Sequence, residues 1–126
     1  MDVPEDLLYT TDHEWVRVDG TSITLGITDF AQDALGDVVY VELPESGSAT
    51  SAGAAFAEVE STKSVSDIIS PIDGNVTEVN DSLSATPELL NSEPYGAGWI
   101  CRIESTDASQ LENLLTPDAY RTLTEQ

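Results

Sequence analysis

The sequence predicts a mainly β protein, a small sandwich or barrel, on three observations. β-branched residues are gathered into seven short runs, one of those runs alternates between apolar and small or polar residues, and Asp-Gly pairs punctuate the gaps. Helices enter this pattern only as short interruptions.

The first runs, "WVRV" (15–18) and "SITLGI" (22–27), flank Asp19-Gly20. This pair signals a tight turn, because Gly tolerates positive φ and Asp bonds its own backbone. In "SITLGI" the residues Ile23, Leu25 and Ile27 share one parity, so one face of that strand is expected to be buried. Thr28 is placed to cap a helix over "DFAQDAL", which Gly36 stops. "DVVYVEL" (37–43) is apolar on both parities and is expected to be a central strand covered on both sides. In "FAEVES" (56–61) Ala57 and Val59 point inward, with Glu58 and Glu60 outward. "SVSDIIS" (64–70) supplies Val65, Ile68 and Ile69 less regularly, as a bulge or twist in that second limb would produce. Asp73-Gly74 reads as a turn into "GNVTEV" (74–79), and "WICRI" (99–103) is the last strand. Asp107 and Gln110 form a capping-box-like start for "ASQLENLL" (108–115), and Thr116-Pro117 opens a final helix through Leu123. The length of 126 residues suits a single domain, 1–126, with the C-terminal helices of about 107–123 packed on it.

The charge excludes some functions. With 24 acidic groups, three arginines and one lysine, the formal net charge is −20. Binding a phosphate backbone needs a cationic face, so nucleic acid is not expected as a partner. The carboxylates punctuate every segment instead of forming a tail, which suits a folded surface in concentrated salt, where the Debye length falls to about 3 Å. A salt-accumulating cytoplasm is the expected setting. The opening "MDVPEDLLYT" lacks a basic region and an apolar stretch, no apolar run approaches the roughly 18 residues of a membrane span, and Cys101 has no second cysteine to pair with. Cys101 is expected to be a buried small apolar residue.

Lys63 is the only lysine, and it sits between two strand-like limbs within "VESTKSVSD" (59–67). The reversal places it at a hairpin tip, the presentation that an acylating enzyme requires of an amine. A solvated surface lysine is the ordinary alternative.

Five stretches resemble one family: "HEWV" (13–16), "GITDFAQDALGDVVYVELPE" (26–45), "VESTKSVSD" (59–67), "SPIDGNVTEVN" (70–80) and "PYGAGW" (94–99). They are similar to the glycine cleavage system H proteins, lipoyl-bearing aminomethyl carriers. That resemblance implies a barrel-sandwich hybrid, lipoyl/biotinyl-carrier-like, with lipoic acid in amide linkage to Lys63. It implies ligase recognition through Glu60, three residues before the lysine, and Gly47, sixteen before it. It also implies that Glu14 and Asp67 hold the amine of a folded-back arm. Asp12 stands where a small hydroxyl residue is expected, adding a third carboxylate, and Ser64 replaces an expected alanine.

The implied partners are a pyridoxal phosphate glycine decarboxylase, a tetrahydrofolate-dependent aminomethyltransferase, an FAD-containing dihydrolipoyl dehydrogenase, and a lipoate ligase or a lipoyl or octanoyl transferase. The protein itself would be a non-catalytic carrier. A relay handing lipoyl groups to other enzymes, a biotinyl module and an unmodified acidic interaction module remain alternatives. A biotinyl site would normally show methionines where Thr62 and Ser64 stand. His13, the only histidine, is expected to be packed and hydrogen-bonded, since no ligand set lies at metal spacing.

Overall fold

The computed structural model describes residues 1–125. Among the described residues nine strands form two sheets, and short helices fill the connections. The larger sheet contains β1 (Leu8–Tyr9), β2 (Glu14–Asp19), β3 (Ser22–Ile27), β9 (Cys101–Ser105), β8 (Gly74–Val79) and β5 (Ala49–Thr50), in that order. The smaller sheet runs β4 (Val38–Glu42), β6 (Ala55–Ser61), β7 (Val65–Ile69). Every pairing is antiparallel. Inward side chains of the two sheets meet in one core that includes Val16, Ile23, Leu25, Val41, Val59 and Ile103, which is the barrel-sandwich arrangement expected.

Local sequence accounts for β2 to α1. Asp19 pairs with Ser22 across a two-residue turn in which Gly20 has φ 65°, and Ile23, Leu25 and Ile27 are buried on one face. Gly26, on the other face, lies under the Trp15 indole, where a Cβ would come within 2.7 Å of Nε1. Helix α1 (Asp29–Leu35) starts where Thr28 Oγ1 accepts the Ala31 N–H, and it ends at Gly36, φ 77°.

Five expectations change. β4 is an edge strand, not a central one: Val38 and Val41 are buried, but Val39 is 54% and Tyr40 51% exposed, and the register shifts between Val38 and Tyr40. Its apolar run on both parities reflects an uncovered outer face. The β6–β7 bulge lies in the first limb, where Ala55 and Ala57 face the consecutive residues Ile69 and Ile68; Val65, paired with Glu60 beyond the bulge, faces outward. Gly74 is not a positive-φ turn residue; it begins β8 so close to β9 that a Cβ would lie 2.3 Å from the Glu104 carbonyl oxygen. Residues 108–113 form a 3-10 turn. There Asp107 caps the Ser109 N–H, but Gln110 reaches away to Asp73, so the capping box is not closed. Two further one-turn helices, α2 (Ser82–Ala85) and α3 (Leu89–Ser92), occupy the connection before "WICRI", whose strand starts only at Cys101.

A second apolar cluster joins the chain ends. Helix α4 (Pro117–Thr124) buries Tyr120 among Val3, Leu7, Tyr9 and Trp15, with the Tyr120 and Tyr9 rings stacked at 4.7 Å. This packing carries α4 to the end of α1 that borders the lysine hairpin's cleft. No helix among the described residues is long and apolar enough to cross a membrane.

Candidate functional site

The β6–β7 hairpin closes on the hydroxyl of Ser61. Its oxygen accepts the backbone N–H groups of Lys63 and Ser64, both at 3.1 Å, while the Ser61 N–H donates to the Ser64 carbonyl at 2.8 Å. This local bonding replaces the sheet ladder that a turn lacks. The Thr62 N–H donates to the Asp37 carbonyl at 3.0 Å, which fixes the tip to the entry of β4. Lys63 is exposed and, among the described residues, has no ion-pair partner, whereas Arg102 and Arg121 pair with carboxylates.

The stem of Lys63 passes over Gly36. A Cβ at position 36 would lie 3.2 Å from Lys63 Cε, so the bare backbone leaves room for the methylenes. Asn91 of α3 holds this floor: its side-chain amide donates to the Gly36 carbonyl at 2.8 Å and to Gln32, and its oxygen accepts the Val38 N–H at 2.9 Å.

Beside the hairpin lies a cleft of about 260 Å³ between α1 and β7. Phe30, Ala31, Ala34 and Leu35 form one wall, since positions 30, 31, 34 and 35 share a helical face. Ser64, Val65, Ser66, Asp67 and Ile68 form the other, with Asp12, His13 and Ile27 at the end. The cleft therefore has an apolar middle and two carboxylates on its lining, a combination suited to an alkyl chain that ends in a cation.

Glu14, next to His13 in the chain, is not on this lining and is 1% exposed. Its Oε2 accepts the Ile69 N–H at 2.7 Å and Oε1 accepts the Thr10 hydroxyl at 3.2 Å. Burial pushes its carboxyl up to about 8, opposed by the Ile69 bond and reinforced by the nearby Asp12.

The structure thus brings Asp12 and Asp67 to one cleft whose lining begins at Ser64, next to Lys63, and buries Glu14 against Ile69 of β7. Glu60 sits on β6 between Tyr40 and Val65, and Gly47, φ 92°, lies in the β4–β5 connection bonded to Val76 of β8. Cys101 is buried and its thiol is pushed up to about 12, chiefly by that burial. Sequence reasoning missed the α1 wall, although the spacing of Phe30, Ala31, Ala34 and Leu35 signalled a face. It also missed Gly36, read only as a helix stop, and Asn91.

Comparison with known proteins places these features in a lineage. The family model described as Glycine cleavage H-protein matches residues 7–126. The chain is 56% identical over 130 residues to the glycine cleavage system H protein of Mycobacterium avium (strain 104), covering 98% of each. It is also 56% identical over 120 residues to the probable glycine cleavage system H protein of Haloarcula marismortui, covering 95% of this chain and 94% of that protein. The crystal structure of a glycine cleavage system H protein from Mycobacterium marinum superposes with a TM-score of 0.89 at 40% identity, covering 98% of this chain and all of that one.

Proposed function

This chain belongs to the glycine cleavage H-protein family, whose members carry the aminomethyl group in glycine cleavage, and on that premise we propose that Lys63 is its lipoyl attachment point. The observation that carries the proposal is the position of the only lysine, exposed on a closed hairpin tip at the mouth of a cleft with an apolar wall and two carboxylates. The residues fit the group: Phe30, Ala34, Leu35 and Ile68 match an alkyl chain, and Asp12 and Asp67 match the cation that an aminomethyl adduct bears. Lipoic acid in amide linkage to Lys63 would supply a strained disulfide as acceptor for the aminomethyl group; the folate-dependent transferase would take the methylene and release ammonia, and the dithiol left behind would need reoxidation.

The chain's own residues bind and orient, and none performs the chemistry. Gly36 gives the Lys63 stem room, Ser61 holds the tip still, and tethering raises the local concentration of the carried group at each enzyme. Asp67 and Glu14 are read as the carboxyls that hold the amine, with Asp12 on the cleft lining as a third; Glu14 is the most buried of them and is fixed by its bonds from Ile69 and Thr10. Glu60 and Gly47 are read as recognition points for the lipoate ligase or octanoyl transferase. The partners in the cycle are then glycine decarboxylase, the aminomethyltransferase and dihydrolipoyl dehydrogenase. A charge of −20 supports a cytoplasm rich in salt as the setting.

Incubating the protein with lipoate, ATP and a lipoate ligase tests the assignment. One lipoyl group per chain is expected, and none on Lys63→Arg; equal loading of the variant would refute the assignment.

A further inference from the structure

We propose that Thr28 and Tyr120 are positioning residues for the arm cleft: they hold His13 as a neutral ring with its proton on Nε2, so the cleft lining offers an N–H donor instead of a second cation. This inference rests on the reading that the cleft receives the Lys63 arm.

His13 is held on every side. Its backbone adopts φ 64°, a left-handed conformation uncommon for a residue with a side chain, and is kept there by the Thr10 carbonyl accepting its N–H at 3.2 Å and by its own carbonyl accepting the Thr28 N–H at 3.1 Å. The ring stacks on Phe30 with centroids 4.5 Å apart, and both side chains line the cleft. Nδ1 lies 2.9 Å from the Tyr120 hydroxyl, which lies 2.7 Å from Thr28 Oγ1. Nε2 has no hydrogen-bond partner among the described residues.

The direction of this relay follows from counting donors. Thr28 is wholly buried, and its oxygen already accepts the Ala31 N–H as the helix cap. Its hydroxyl hydrogen has one acceptor in reach, the oxygen of Tyr120. A buried hydroxyl hydrogen left unpaired costs about 1–3 kcal/mol, so Thr28 donates to Tyr120 and Tyr120 donates to Nδ1. A ring nitrogen that accepts a hydrogen bond carries no proton, which places the proton of the neutral ring on Nε2. Protonating Nδ1 would make the Tyr120 oxygen an acceptor, leaving one hydrogen unpaired in a buried site: that of Tyr120 if Thr28 still donates to it, or that of Thr28 if the Tyr120 hydroxyl turns onto Thr28.

Burial acts in the same sense, against Asp12. Burial lowers the His13 ring from its ordinary value, while the neighbouring Asp12 pulls it upward. Asp67 of β7 faces the same cleft, α4 contributes Tyr120, and α1 contributes Phe30 to the ring. A cationic His13 would offset one of the two carboxylates that attract the amine, and the relay prevents that. The C-terminal helix, remote in sequence, thereby acts on the cleft.

The test begins on protein without the arm, reading the His13 ring by NMR across mildly acid to neutral pH. Wild type is expected to show the Nε2–H tautomer and to titrate below about 6.5, the ordinary value for histidine. Tyr120→Phe and Thr28→Val are expected to mix the tautomers and raise the midpoint, and Thr28→Ser to behave as wild type, with thermal unfolding confirming that each variant is folded. On aminomethyl-loaded protein, release of the adduct at mildly acid pH should accelerate several-fold in Tyr120→Phe but not in wild type. An Nδ1–H tautomer in wild type, unchanged titration in both variants, or equal release rates would overturn the inference. If Lys63 accepts no lipoyl group, the reading of the cleft fails and this inference with it. If Lys63 is loaded and the ring titrates like a free histidine, only this inference fails.

Discussion

Ile69 donates its backbone N–H to Oε2 of Glu14 at 2.7 Å, joining β7 of the small sheet to the start of β2 in the large one through a carboxyl that is almost wholly buried. The Glu14 carboxyl is pushed up to about 8 from an ordinary value near 4.5, chiefly by burial. A group with a raised folded value binds its proton more tightly when folded, so an acid of this kind loses stability as pH rises from about 4.5 to about 8. Glu14→Gln is expected to resemble the parent near pH 5 and to exceed it near pH 8, by up to roughly 3 kcal/mol. Urea unfolding of both proteins at the two pH values measures the difference; a constant gap would contradict the burial account.

Gly36 combines φ 77° with the closeness of the Lys63 stem. Gly36→Ala should cost about 1–3 kcal/mol for the backbone conformation alone. It should also slow ligation at Lys63, because the new methyl displaces the stem. Denaturant midpoints and ligation time courses report the two effects separately, and a variant that loads at the parent rate would remove Gly36 from the arm's path.

Ser61→Ala removes the acceptor shared by the Lys63 and Ser64 N–H groups. A loss of about 1 kcal/mol is expected, together with faster amide exchange confined to residues 62–64. Exchange accelerating throughout β6 and β7 instead would mean that the hydroxyl supports the whole hairpin, not its tip.

Much of this was legible in local sequence. Strand β3 and helix α1 carry their own period and cap, and the lysine hairpin is written in consecutive residues, so neither needs tertiary information. The edge position of β4 was not legible, because sheet order depends on pairing with β6, and Val39 and Tyr40 read the same whether covered or bare. The cleft was legible only in parts. Asp12 and Asp67 were named through family resemblance, but its walls come from three separated segments, and the role of Tyr120 depends on a helix that packs back from the far end of the chain.

The outer face around the hairpin bears Val39, Tyr40 and Val65, the last 57% exposed. In molar salt the screening length is about 3 Å, so charge contributes little to docking there. Affinity for the proposed partner, glycine decarboxylase, should therefore change little across a salt series and fall about tenfold in Tyr40→Ala. A steep loss with rising salt, or an unchanged affinity in the variant, would show that apolar contact is not what holds the partner.

The central claim is that Lys63 bears the arm, and intact mass with peptide mapping on protein taken from its native cells tests it most directly. A lipoyl increment on the peptide containing Lys63 is the predicted result. An unmodified Lys63, in cells shown to lipoylate other proteins, would contradict it.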